Sequence, residues 1–143
     1  MEALKALVEK VVEDTGYFLY DLTLGPKDGV LTLCVDIEGQ GYMSIDDVVK
    51  VNQALSLALD DDDSIEESYQ LEVGSADPER ELKTHPQRER AVGRWVLVKT
   101  HDQTLEGGLD HVTPDSITLT TKKKQTHTFY LADITLLRLA IHF

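Results

Sequence analysis

The segment Tyr69-Gln-Leu-Glu-Val-Gly-Ser-Ala-Asp-Pro-Glu-Arg-Glu-Leu82 constrains the fold more than any other stretch, because it starts as a strand and breaks into a polar turn. It also separates two regions of opposite charge. Residues 1–82 hold 20 acidic and 5 basic side chains, whereas residues 83–143 hold 6 acidic and 9 basic ones, within a net charge of −12. An asymmetry of this kind predicts two modules with different partners, an acidic domain over 1–82 and a second domain over 83–143. A length of 143 residues suffices for two modest cores. The overall acidity opposes unaided binding to nucleic acid, which needs bases to neutralise phosphates. It favours a basic protein partner, drawn in by complementary potential.

The first region alternates helical and strand periodicities. Leu4, Leu7, Val8, Val11 and Val12 recur at helical spacing, and Gly16 follows as a helix-ending residue. Tyr17–Leu24 and Val30–Ile37 read as strands around the turn residues Gly25-Pro-Lys-Asp-Gly29. Ser44 is an N-cap candidate with Asp46 and Asp47 in the first turn, and Ile45, Val48, Val49, Asn52, Leu55 and Leu59 continue a helix to about Asp60. Tyr69–Val73 is a third strand. The order α-β-β-α-β predicts an α+β domain, with both helices on one face of a three-stranded sheet. Leu7, Val11, Leu33, Val35, Val49, Leu55 and Leu71 are its expected core. Past one helical turn over Pro86–Val92, short strands follow at Trp95–Thr100, Thr104–Val112, Ser116–Thr121, Thr126–Leu131 and Thr135–Ile141. That density of short strands predicts a small closed Sm-like or SH3-like β-barrel, with Gly107 and Gly108 allowing the bulge a bending strand needs.

Few residues suggest chemistry. Asp60–Asp63 invites a calcium loop, but counting from Asp61 the fifth ligand position is Ile65 and the required glycine is Glu66, so no metal site is expected. The run reads as a solvated loop, with Asp61, Asp62 and Asp63 also candidate contacts for a basic protein. Cys34 is the sole cysteine, which excludes an intramolecular disulfide, and in an apolar strand it reads as a small buried hydrophobe. The five histidines all lie in the second region at spacings that match no zinc template. Lys122, Lys123 and Lys124 form the one concentrated basic feature, and with Arg88, Arg90, Arg94 and Lys99 they are a candidate phosphate patch or simply a soluble hairpin tip. Aromatic stacking residues are sparse; Trp95, Phe129 and Tyr130 sit in strands. No catalytic constellation emerges and no cofactor is called for. No apolar run approaches the ~20 residues that span a bilayer, and the amphipathic start does not resemble a secretory signal, so a soluble cytoplasmic protein without membrane contact is expected.

Several of these segments together resemble the RimP family of ribosome maturation factors over nearly the whole chain. They are Gly16-Tyr-Phe-Leu-Tyr-Asp21, Leu31-Thr-Leu-Cys-Val-Asp-Ile37, Ser44-Ile-Asp-Asp47, Leu59–Ile65, Tyr69-Gln-Leu-Glu-Val73 and Arg80-Glu-Leu82. His85–Gly93, Trp95-Val-Leu-Val-Lys99 and Ile134–Phe143 resemble the family's second domain. The family's usual Ser-Ser-Pro-Gly turn is replaced here by Gly74-Ser75-Ala76-Asp77, with Pro78 and Glu81 standing where a leucine and a proline are usual. Val48 replaces a common cysteine. The resemblance implies a non-enzymatic, monomeric assembly factor that binds the immature small ribosomal subunit and promotes its maturation. A ribosomal protein of the decoding region is the contact the resemblance implies; the charge partition itself suggests that the acidic domain docks a basic ribosomal protein while the less acidic barrel approaches rRNA. Ser75 and Arg80 join the candidate contacts. Arg80 is expected either to pair with Glu72 or Glu79 and fix the turn, or to reach the partner. A general RNA-binding regulator using its barrel is the alternative, against which the net charge weighs.

Overall fold

The computed structural model describes residues 2–39, 43–61, 65 and 67–141. The chain divides into two compact units, Met1–Ala76 and Asp77–Phe143.

The first unit runs α1 (Glu2–Asp14), β1 (Phe18–Lys27), β2 (Val30–Glu38), α2 (Ile45–Asp60) and β3 (Gln70–Ser75). In α1, Leu4, Val8 and Val12 are buried at a spacing of four residues, and Leu7 and Val11 are partly buried beside them. Gly16 ends the helix at φ 97°, a left-handed conformation that suits glycine. The β1–β2 turn is tighter than the Gly25–Gly29 stretch suggests. Lys27 pairs with Val30, leaving Asp28 and Gly29 as a two-residue loop at φ 53° and 81°, the positive pair that a type I′ hairpin requires. Strand β2 is central, antiparallel to β1 and parallel to β3. A parallel pair needs a long crossover, and α2 supplies it.

Helix α2 starts at a capping box in which Ser44 and Asp47 exchange hydrogen bonds. The Tyr17 hydroxyl donates to Asp47 Oδ1 at 2.5 Å, tying the helix start to the chain ahead of β1. Val51, Leu55 and Leu59 point into the core against Leu33, Val35 and Ile37 of β2. Val49, expected in the core, is 45% exposed, and Ile45 is 82% exposed. The buried meridian of α2 follows the i, i+4 series from Val51, and Val49 lies two residues off it, about 200° around the axis at 3.6 residues per turn. Leu33, Val35 and Leu55 are fully buried, and Leu71 packs at the core margin. Cys34 differs from expectation too: it is half-buried on the sheet face opposite the helices, because it alternates with Leu33 and Val35.

The second unit holds α3 (His85–Arg90), β4 (Trp95–Thr100), β5 (Thr104–Val112), β6 (Ser116–Thr120), β7 (Thr126–Tyr130), a 3-10 turn (Leu131–Asp133) and β8 (Ile134–Leu139). Thr84 and Gln87 form a second capping box, and the Gln87 side chain also accepts from Lys83 N at 2.7 Å. Alternate residues of β4, β5, β6 and β8 build a core of Val96, Val98, Leu109, Ile117, Leu119, Leu137 and Leu139, joined by Phe129.

The strands form one antiparallel sheet in the order β7-β6-β5-β4-β8. Among the described residues it is open and does not close into a barrel. The outer edge of β8 is taken by residues 80–82: Leu82 N donates to the Leu137 carbonyl at 2.8 Å and Leu139 N to the Arg80 carbonyl at 3.0 Å. The same pairing moves residues 77–82 from the first domain, where the sequence alone places them, into the second unit, and Leu82 is buried in that unit's core. The register shift in β5 falls between Leu109 and His111, beyond the Gly107-Gly108 pair. Gly107 serves close approach instead, since a Cβ there would lie 2.5 Å from the Thr120 carbonyl oxygen.

Candidate partner-binding surfaces

Candidate contact residues lie on several surfaces, one of which the sequence did not single out. The first lies at the end of α2. Asp61 is the exposed C-cap residue, with its N–H bonded to the Leu59 carbonyl, while Asp62 and Asp63 lie outside the described residues. Among the described residues, no group of three or more His, Cys, Asp or Glu side chains is arranged to hold a metal ion.

Sequence reasoning missed a second acidic surface. On the face of the first sheet opposite the helices, Asp21 stands across from Asp36, Thr23 across from Cys34, and Cys34 beside Glu72. Lys27 closes one end by an ion pair to Glu72 at 2.6 Å. Burial, and then the charge of Asp21, hold the Asp36 carboxyl above the usual carboxylate range. The signal lay in the alternation of Leu31–Ile37, whose odd positions are large and apolar and whose even positions are Thr32, Cys34 and Asp36. Which acids would meet across strands depended on register, and no local pattern encodes that.

The raised Asp36 value has a consequence for stability. Its carboxyl releases the proton at higher pH when folded than when unfolded, so the native state keeps the proton through the window between the two values. Stability therefore falls as pH rises through that window, and ionised Asp36 opposes folding above it. Asp36→Asn is expected to raise stability at neutral pH, with the gain vanishing below the ordinary carboxylate range. Urea unfolding of both proteins at acidic and neutral pH checks this; a gain of the same size at both would remove Asp36 as the cause. Asp47 acts in the opposite sense. Its bonds from Tyr17 and Ser44 hold its carboxyl low, giving stability that is present at neutral pH and lost as pH falls.

The remaining candidate contacts lie in the turn after β3 and at the β6–β7 hairpin. Ser75, the last residue of β3, is exposed. Asp77-Pro-Glu-Arg80 then forms a β-turn: Arg80 N donates to the Asp77 carbonyl at 3.1 Å, and the Asp77 carboxylate accepts from Glu79 N at 2.8 Å. Proline at the second position and aspartate at the first are what such a turn favours, which explains how Asp77-Pro78 works without the family's usual residues. Arg80 braces the turn through a guanidinium bond to the Asp77 carbonyl at 3.1 Å. Glu79 pairs with Arg138 at 2.9 Å and Glu72 with Lys27.

Lys122, Lys123 and Lys124 are exposed at the β6–β7 tip. The loop is tied by Lys124 N to the Thr121 carbonyl at 2.8 Å and by Thr121 N to the Gln125 carbonyl at 2.9 Å. Lys99 sits at the opposite end of β4 from Trp95, and Arg88 is half-buried with its Nε shielded and without a hydrogen-bond partner. Burial pulls the Arg88 guanidinium below the ordinary arginine range. Of the three aromatics, Phe129 is core, Tyr130 is 62% exposed, and Trp95 lines a cleft with Lys122 and Lys123.

The family model of the RimP N-terminal domain matches residues 7–76. The chain belongs to the RimP family. The match ends where the first unit ends, at Ala76, so the RimP family's N-terminal domain and the compact acidic unit coincide. Membership places the chain among ribosome maturation factors. No helix among the described residues is long and apolar enough to cross a membrane.

Proposed function

We propose that the protein is a non-enzymatic factor that binds the immature small ribosomal subunit in the cytoplasm and promotes its maturation. The observation that carries this reading is the match of residues 7–76 to the RimP N-terminal domain. Charge supports a division of labour. Residues 1–76 hold 17 acidic and 4 basic side chains, which suits docking on a basic ribosomal protein, whereas residues 77–143 hold 9 and 10, which permits approach to rRNA. The sheet face with Asp21, Asp36 and Glu72 is the docking surface in this reading, and the Asp61–Asp63 run adds acidic charge to the same unit. The strand order of the second unit, with a 3-10 turn before its last strand, supports an Sm-like or SH3-like kinship despite the open ladder.

Gradient sedimentation tests the proposal. The protein is expected to travel with immature small subunits and not with mature ribosomes; equal association with both, or with neither, overturns it. Tight binding to unrelated single-stranded RNA would favour a general RNA regulator instead. If the acidic unit docks by charge, substituting Asp61, Asp62 and Asp63 by Asn should lower the association rate more than it raises the dissociation rate, and added salt should shrink the difference. An unchanged association rate would take this run out of the interface.

A further inference from the structure

On the second unit, a cleft of about 510 Å³ opens between the start of β4, the first residues of β5 and the β6–β7 loop. That volume falls within the ~300–1,000 Å³ common for ligand sites. Its chemistry is divided. Trp95, Leu105 and Ile141 supply apolar surface, and Lys122 and Lys123 stand on one side. Trp95 is half-buried, Ile141 is 51% exposed and both lysines are exposed, so the apolar wall and the charges are open to the same ligand. The indole is oriented by its Nε1, which donates to Glu106 Oε1 at 3.2 Å.

We infer that this cleft takes an unstacked base of single-stranded RNA, stacked against Trp95, with its flanking phosphates on Lys122 and Lys123. An aromatic ring beside paired lysines is the combination that single-strand recognition uses, since every base has a π-face and every linkage a negative charge. Glu106 sets the polarity. Its carboxylate repels a phosphate but accepts from an exocyclic amine, so the base enters and the backbone stays at the lysine rim. Cytosine carries such an amine and uracil does not. The cleft should therefore prefer cytosine to uracil. That the polymer is RNA rests on the proposed role in ribosome maturation; the base, phosphate and carboxylate chemistry rests on the cleft alone.

Trp95 is the only tryptophan in the chain, so fluorescence excited at wavelengths that the five tyrosines do not absorb reports on this cleft. Titrating the full chain with pentacytidylate is expected to quench that emission saturably, with weaker quenching by pentauridylate and none by inorganic tripolyphosphate. Labelled-oligonucleotide anisotropy extends the test to variants. Trp95→Ala should weaken binding by about 5- to 150-fold, the range expected for loss of one stacked base, and Trp95→Phe should retain most of it. Lys122→Ala and Lys123→Ala, at exposed positions that leave the core untouched, should each make the dependence of log affinity on log salt shallower by about 0.7. Glu106→Gln should reduce the preference for cytosine. Three results would each overturn the inference: no quenching, equal quenching by tripolyphosphate, or unchanged affinity in a folded Trp95→Ala protein. Sedimentation keeps the two proposals apart. A chain that travels with immature subunits but shows no quenching loses the cleft assignment and keeps the maturation role. A chain that is quenched but does not travel with them loses the maturation role instead.

Discussion

Leu55→Ala is expected to destabilise the first unit by about 2–5 kcal/mol, the range seen when a buried leucine is truncated. Leu55 is fully buried, at the centre of the Val51–Leu55–Leu59 meridian of α2, and it meets the core shared with Val8, Leu33 and Val35. Three carbons, Cγ and its two methyl groups, are removed from a site that is walled by a second helix and a sheet, so collapse cannot refill the space cheaply. The same substitution at Val49, which is 45% exposed, should cost less than about 1 kcal/mol. Urea unfolding, with hydrogen exchange resolving residues of the first unit, measures both. Similar losses at the two positions would mean that α2 does not turn its Val51–Leu55–Leu59 meridian toward the sheet. Because the two units have separate cores, protection in the second unit should hardly change.

Gly107→Ala should be the most damaging small substitution in the second unit. A Cβ at this position would sit 2.5 Å from the Thr120 carbonyl oxygen and 2.8 Å from Leu119 Cδ1. The first of these is backbone in the neighbouring strand, which cannot move without breaking the β5–β6 ladder. A cost of at least about 1–3 kcal/mol follows, as for other overpacked sites. Gly108 gives the control: a Cβ there meets no atom within 4 Å, and Gly108→Ala should shift stability by less than about 0.5 kcal/mol. Thermal unfolding of both variants, read together with the amide protection of Leu109, Leu119 and Thr120, separates them. Equal stability of the two would show that β5 and β6 do not approach closely at Gly107.

Much of this protein follows from local pattern. Periodicity of four in Leu4, Val8 and Val12, alternation in Leu33, Val35 and Ile37, and the capping sequence at Ser44 are short-range properties, and each produced the element it predicts. The positions of Asp28, Gly29 and Gly93 work in the same way, because positive φ is a demand on one residue and not on its surroundings. The split of charge between the two halves is likewise written in composition alone.

Other features arose only when distant segments met. Val49 and Val51 are the same residue type two positions apart, and which of them is buried depends on how α2 rolls onto β2. Residues 77–82 read as the tail of the first domain until the bare edge of β8 offers them backbone partners at Leu137 and Leu139. That capture also leaves the five-stranded sheet open where a closed barrel is the expectation from strand count. Asp21 and Asp36 become neighbours through strand register, and Trp95 acquires Lys122 and Lys123 as neighbours through the fold of a hairpin 27 residues further on. Elements are specified by residues within a turn or two of each other; sites are specified by register and by helix rotation. Those follow from minimising exposed apolar surface and unpaired backbone over a whole unit at once, which no window of sequence contains.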